Sequence, residues 1–246
     1  MPHSDNALVR KLSNFIELSP AERTCLFEIQ AKPEKIEAHS DIVHEGQTGH
    51  RAYILQSGWA YSYKLLPDGG RQVITFSLPG DIMGLRSVLL RTSDHSFASV
   101  SDVTISSIAV PRMIRVFSEF PRLATAMLWA VSRDEAVMVE HLVGIGRRNA
   151  IERMSHFFLE LGQRLQLVGM ASDTKFECPL NQYLLADALG LTAIHVNRVL
   201  RQLREQELIT LKAHHVVIED VKGLMKLAGF DNAYLDQPRP WAKVED

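Results

Sequence analysis

Cysteine is scarce: Cys25 and Cys178 are the only two in 246 residues, and no Cys-x-x-Cys occurs. That excludes a cysteine-rich zinc module or a cysteine-ligated iron–sulfur cluster, each of which needs several thiolates close together. Buried, inert thiols are the expectation. Long apolar runs are missing too, none approaching the ~20 residues that cross a bilayer. The opening MPHSDNALVRKLSNFI has no apolar core of the signal-peptide kind, so a cytoplasmic location without a membrane partner is expected. No Walker A loop, Gly-x-Ser-x-Gly elbow or Cys–His pair is visible, so no enzyme, catalytic residue or cofactor is assigned. Ten histidines invite a metal reading. Yet His39, His44 and His50 form no His-x-His pair of the cupin kind, and His214 and His215, adjacent on a strand, would point to opposite faces. His141 could ligate a haem, but a lone helical histidine is more often exposed or hydrogen-bonded. No metal is assigned.

A surplus of either charge is likewise absent. The net charge of −2 excludes a chain coated in positive potential, though not a local basic face. What is present is an apolar fraction of 46% with 23% charged residues, enough to bury a sizeable core.

The most informative stretch runs from Leu180 to Leu211, NQYLLADALGL-T-AIHVNRVLRQLREQELITL with its leading leucine. Asn181 is placed to cap a helix whose Leu185, Ala186 and Leu189 form one apolar stripe, and Gly190 stops it. Thr192 caps the next helix, which buries Val196, Val199, Leu200 and Leu203. That leaves Ala193, Ile194, Asn197, Arg198 and Arg201 exposed, the side chains that would enter a major groove. From Leu189 to His215 four fixed positive charges face two negative ones, so ordinary, salt-sensitive phosphate contacts are expected.

Upstream, two helices are expected at Asp5–Ile16 and Pro20–Ile29, the second capped by Ser19. Short strands follow: Ile54–Leu55, Ala60–Leu65, a hairpin turn at Leu66–Gly70, Gln72–Leu78, Ala98–Val100 and Thr104–Val110. Their spacing suggests a barrel or sandwich. From about Phe120 to Ile145 apolar residues recur at three and four: Ala124, Leu128, Val131, Met138, Leu142 and Ile145, interrupted by Glu135. Such a long helix buries its stripe on a coiled-coil partner, on its own domain, or on both. Asn149 or the Gly146–Arg147–Arg148 break marks a hinge before another amphipathic helix. Val168–Pro179 reads as a loop or short strand pair, ITLKAHHVVIED as strand, turn, strand, and Val221–Ala228 as a last helix. Phe230–Asp246, with Pro238, Pro240 and Trp241, reads as a loose tail or a docking strap.

With IVHEGQ (Ile42–Gln47), YILQSGWAYSY (Tyr53–Tyr63) and LPGDIMG (Leu78–Gly84), this helix-turn-helix resembles the Crp/Fnr family of bacterial transcription regulators over roughly Phe15–Gly229. The resemblance implies an α+β fold: a jelly-roll sensor of the cyclic-nucleotide-binding type (1–119), a long dimerisation helix (120–146), and a winged helix-turn-helix (147–229) followed by the tail (230–246). It implies a homodimer through Leu128, Val131, Met138, Leu142 and Ile145, double-stranded operator DNA of pseudo-palindromic sequence, and RNA polymerase as partner.

In that family the phosphate-binding cassette follows the LPGD-like turn with a Gly-Glu pair and an Arg-Ser further on. Here Gly84–Leu85 and His95–Ser96 stand in those places. A cyclic phosphate wants a bidentate guanidinium and a ribose hydroxyl wants a carboxylate, together worth several kcal/mol at roughly 1.5–3 each. Gly84, Leu85, Arg86, Ser87, His95 and Ser96 are therefore candidates for an effector pocket, but cyclic AMP is not the expected effector. Arg86, Arg91 or His95 could substitute in a cyclic-nucleotide sensor, or the barrel could be a docking module that answers no ligand. The candidate DNA contacts are Asn181, Gln182, Tyr183, Thr192, Ala193, Ile194, His195, Asn197, Arg198 and Arg201. By resemblance Arg198 reads a guanine, and Ile194 replaces a glutamate, suiting a thymine methyl instead of cytosine. Asn197 could pair with adenine, and His195 or Tyr183 could reach phosphate.

Overall fold

The computed structural model describes residues 6–236 except positions 50 and 91, and of Ser87 and Val88 the backbone alone. Helix α1 (Ala7–Ser13) starts where the Asn6 side chain accepts from the Val9 N–H, and α2 (Pro20–Ile29) starts with a reciprocal Ser19–Glu22 capping box. The first helix is shorter than expected, because Asn6 caps it and the chain leaves the helix at Asn14; Asp5 lies outside the described residues.

Eight strands follow: β1 (Pro33–Ile36), β2 (Asp41–Val43), β3 (Arg51–Ser57), β4 (Ala60–Leu65), β5 (Arg71–Ser77), β6 (Ile82–Met83), β7 (Ser96–Ser99) and β8 (Val103–Ala109). They make two four-stranded antiparallel sheets, β1-β8-β3-β6 and β2-β7-β4-β5, facing each other as a jelly-roll. The β4–β5 hairpin closes as the Leu66 N–H donates to Gly70 O at 2.8 Å. Gly69 supplies the left-handed residue, at φ 84°. Strands β1, β2 and β6 carry too few residues for a periodic signal and had no counterpart in the sequence reading.

Val110 does not end a strand. It opens α3 (Val110–Glu119), with Pro111 preset for the first helical turn and Met113 and Val116 buried. Phe120 breaks the chain, and α4 (Pro121–Arg147) runs 27 residues, about 40 Å at 1.5 Å per residue. One face of α4 buries Leu123, Ala126, Met127, Ala130 and Val137 in its own chain, while Leu128 and Leu142 remain 65% and 71% exposed. The helix thus packs on its own domain and also presents an uncovered stripe.

Asn149, one of the two hinge positions expected, caps α5 (Ala150–Leu167) through a capping box with Glu152. Then come β9 (Lys175–Glu177), α6 (Gln182–Leu189), α7 (Ala193–Glu205), β10 (Ile209–Lys212), β11 (His215–Ile218) and α8 (Val221–Ala228). Strands β10, β11 and β9 form a small antiparallel sheet in that order. One apolar cluster joins Tyr61 and Phe76 of the jelly-roll to Phe157 of α5 and to Leu185 and Val196 beyond, so the two ends of the chain share a core. Residues 230–236 form a strap: Phe230 and Leu235 are buried, and the Arg133 Nε–H donates to Leu235 O at 3.0 Å. Residues 237–246, with Pro238, Pro240 and Trp241, lie outside the described residues. Both cysteines are buried and free, and burial pushes the Cys178 thiol up to about 12.

Candidate nucleic-acid interface

The helix-turn-helix follows from its caps. The Asn181 Oδ1 accepts from the N–H groups of Tyr183 and Leu184 at 3.0 and 2.9 Å. Gly190, left-handed at φ 61°, ends α6, and the Leu191 N–H returns to Ala186 O at 3.0 Å. Thr192 Oγ1 then accepts from the His195 N–H at 3.2 Å to start α7. Leu185 and Ala186 of α6 pack on Val196, Val199 and Leu203 of α7, which fixes the two helices as one unit.

Helix α7 presents a ridge. Ile194 is 84% exposed, Asn197, Arg198 and Arg201 are exposed, and Ala193 and His195 are half-buried. Arg198 has no protein partner among the described residues, and Arg201 has only an exposed contact to Glu205 at 3.7 Å, the kind worth ~1 kcal/mol or less. The Asn197 Nδ2–H donates to Gln182 Oε1 at 2.6 Å, a contact between α6 and α7 with no local sequence signal. Tyr183 stands exposed at the start of α6.

The wing differs in one detail from the sequence reading. Lys212 pairs with His215, so Ala213 and His214 form a two-residue turn, both left-handed at φ 48° and 60°. His214 is a turn residue, and its carbonyl accepts from the Cys178 N–H at 2.7 Å, because β11 begins only at His215. His39 and His44 are exposed, His50 lies outside the described residues, and no metal-ligand cluster occurs among the described residues.

A separate cleft of about 290 Å³ lies between the jelly-roll and α4. Gly84, Leu85, Arg86 and His95 line it together, as do Val131 and Met138 of α4. Ser96 does not line it, and its Oγ accepts from the Glu45 N–H at 2.9 Å. The side chain of Ser87, and Arg91, lie outside the described residues. Arg86 is already engaged: its Nη2 lies 3.0 Å from His95 Nδ1 and 3.3 Å from Asp94 Oδ2. Burial, with Arg86 adding to it against Asp94, keeps the His95 imidazole below its usual value.

Sequence reasoning missed the ionic floor of this cleft, whose members are distant along the chain. Lys11 Nζ meets Asp81 Oδ1 at 2.8 Å and Arg164 Nη2 meets Asp81 Oδ2 at 3.2 Å. Burial raises the Asp81 carboxyl, but Lys11 and Arg164 outweigh it and hold it low. Asp134 and Glu135 add two more acids to the lining. Beside it, the fully buried Glu160 accepts from Tyr234 at 3.1 Å and lies 3.0 Å from His141 Nε2. His141 is therefore a hydrogen-bonded group.

No helix among the described residues is long and apolar enough to cross a membrane. Two families match the chain: the cyclic nucleotide-binding domain over residues 33–120 and the Crp-like helix-turn-helix domain over residues 152–227. The transcriptional activatory protein AadR of Rhodopseudomonas palustris is 30% identical over 223 residues, 89% of this chain and 90% of that protein. The nitrogen fixation regulation protein FixK of Azorhizobium caulinodans is 32% identical over 197 residues, 79% and 78% of the two chains. Among solved structures, FixK2 from Bradyrhizobium japonicum superposes with a TM-score of 0.73 at 25% identity, over 81% of this chain and 98% of that one. The fold alone extends to a CooA mutant from Carboxydothermus hydrogenoformans, at a TM-score of 0.68 and 16% identity, over 92% and 97% of the chains.

Proposed function

The chain belongs to the Crp/Fnr family of DNA-binding transcription regulators, and on that premise we propose that it works as a cytoplasmic homodimer reading a pseudo-palindromic operator. One observation carries this reading: the exposed ridge from Ile194 to Arg201, with Arg198 at its centre and unpaired among the described residues. In a major groove Arg198 donates two hydrogen bonds to a guanine, Ile194 covers a thymine methyl, and Asn197 pairs with adenine. Asn181, Gln182, Tyr183, Thr192, Ala193, His195 and Arg201 flank these contacts along the phosphates. The protein acts by binding, with RNA polymerase as its onward partner.

The division of labour follows the chain. Residues 1–119 are the sensor, α4 the dimer helix, and 147–229 the DNA-binding unit. Leu128, Val131, Met138, Leu142 and Ile145 meet their symmetry mates across the axis. The cleft effector is not cyclic AMP. Leu85 offers no carboxylate to a ribose, and Arg86 is neutralised by Asp94 in a lining that also carries Asp81, Asp134 and Glu135.

Fluorescence polarisation with a duplex selected by the protein and a scrambled duplex tests this. Arg198→Ala is expected to lower the ratio of the two affinities about ten- to hundredfold, the worth of a bidentate base contact, while sedimentation still finds a dimer. Discrimination that survives in the variant refutes the assigned register.

A further inference from the structure

The jelly-roll grips the first helix of the helix-turn-helix directly. Arg71, the first residue of β5, holds its guanidinium carbon 5.1 and 5.7 Å from the ring centroids of Tyr61 and Tyr63. Its Nη1–H donates to Tyr61 Oη at 2.8 Å, and its Nε and Nη2 both donate to Asp187 Oδ2 of α6, at 2.9 and 2.7 Å. The pair is roughly seven-tenths buried, with side-chain exposures of 30% and 28%. A planar fork held against two rings loses little further freedom on pairing, which separates it from an ordinary surface ion pair.

A second tie reaches the same helix end. Arg153 of α5 donates to Leu189 O, and also to Gly144 O and Arg148 O at the end of α4, at 2.9 and 3.0 Å. Helix α6 is thereby held from the jelly-roll on one side and from the hinge on the other. Because α6 and α7 share one apolar core, the angle of α6 sets the angle of the recognition ridge. The gripping strands also wall the cleft: Ser62 of β4 and Ile74, Thr75 and Phe76 of β5 line it, within a few residues of Tyr61, Tyr63 and Arg71.

The geometry points to Arg71 as a positioning residue for operator recognition: by holding Asp187 it fixes the DNA-binding unit against the sensor, and so fixes the spacing between the two recognition helices of the dimer. This rests on the dimeric operator-binding reading. It gives the β4–β5 hairpin a line from the cleft to α6 that bypasses α4. A ligand that moves β5 at Ile74–Phe76 moves the anchor of the reading head.

Arg71→Gln, Asp187→Asn and the double variant test it in the full-length protein. The probes are duplexes carrying two half-sites recovered by selection from random DNA, at the preferred spacing and one base pair longer or shorter, and a duplex with one half-site. Each single variant is expected to cut the preference for the native spacing about fivefold, the lower end of typical coupling between sites. Single-half-site affinity stays within about twofold, which also verifies folding. The double variant is no worse than either single, since both substitutions cut one shared contact. A melting temperature that falls while the spacing preference stays sharp overturns the proposal, as do additive effects of the two substitutions. Wild-type protein that recovers no duplex from the random pool refutes the DNA-binding reading and this proposal with it; a sharp wild-type optimum that the variants keep refutes this proposal alone.

Discussion

Replacing Leu142 by Glu probes the uncovered stripe of α4 where the structure makes its strongest demand. Leu128, Val131, Glu135, Met138, Leu142 and Ile145 alternate in steps of three and four, the heptad seam of a coiled coil with one charged interruption. Leu142 is 71% exposed in the single chain, so it has most of its apolar surface still to bury. Full burial of a leucine side chain is worth ~2.5 kcal/mol, so the exposed part offers somewhat under ~2 kcal/mol per copy. In the proposed dimer a two-fold axis doubles this to about 3.5 kcal/mol, which is more than a hundredfold in the dimer dissociation constant at 1.4 kcal/mol per decade. The introduced carboxylates face each other across the axis and add to the loss. Sedimentation equilibrium on wild-type and Leu142→Glu protein is expected to show at least that hundredfold weakening, with far-UV circular dichroism unchanged. Affinity for a two-half-site operator falls in parallel. An unchanged dimer constant, or a monomer that unfolds, refutes the assignment of this face to a partner copy.

Three further outcomes follow from individual side chains. Ile194→Glu exchanges an apolar contact for a cytosine acceptor at an 84% exposed position, so the selected base is expected to change from thymine to cytosine, worth ~1–3 kcal/mol of discrimination, without loss of stability. Retention of thymine in binding-site selection contradicts the contact. Gln182→Ala frees the Asn197 amide and is expected to reduce discrimination at the adenine about fivefold, the worth of one hydrogen bond, while the guanine under Arg198 is read as before; equal loss at both bases contradicts a local role. Burial, with Arg148 adding to it, pushes His156 down to about 4 from 6.5. The unfolded chain therefore takes up a proton that the folded one refuses. Stability falls as pH drops below 6.5 and levels off below about 4. Between pH 7 and 5 this costs about 2 kcal/mol. Urea melts of His156→Asn are expected to lose that slope relative to wild type, and an unchanged slope contradicts it. Glu160 cannot mimic this: burial raises it but His141 holds it below 4.5, so its contribution is lost only at lower pH.

Features signalled by neighbours in sequence were legible in advance. Asn181, Gly190 and Thr192 each cap through groups two to four residues away, so their spacing defined α6 and α7. The β4–β5 hairpin was legible for the same reason, since Leu66–Gly70 carries its own turn chemistry. What stayed hidden is held by contacts far along the chain. Nothing near Arg71 points to Asp187, and nothing near Asp81 points to Lys11 or Arg164. Helix α3 was obscured because Val110 continues the apolar run of β8, and Pro111 starts a helix as readily as it ends a strand. The strand, turn and strand of the wing were legible, but His214 was placed on a strand because Ala213–His214 adopts left-handed backbone without the glycine or asparagine that usually announces it. Of the effector candidates, Gly84, Leu85, Arg86 and His95 share a cleft, whereas Ser96 is turned to Glu45.

Selection of bound duplexes from a random pool, run in parallel on the wild-type chain and Arg198→Ala, tests the central claim most directly. The wild type is expected to recover an inverted repeat with half-site centres about one helical turn apart, ~10 base pairs, each half containing a guanine that disappears from the Arg198→Ala pool. A pool with no shared motif, an unrepeated motif, or a guanine undiminished in the variant contradicts the account.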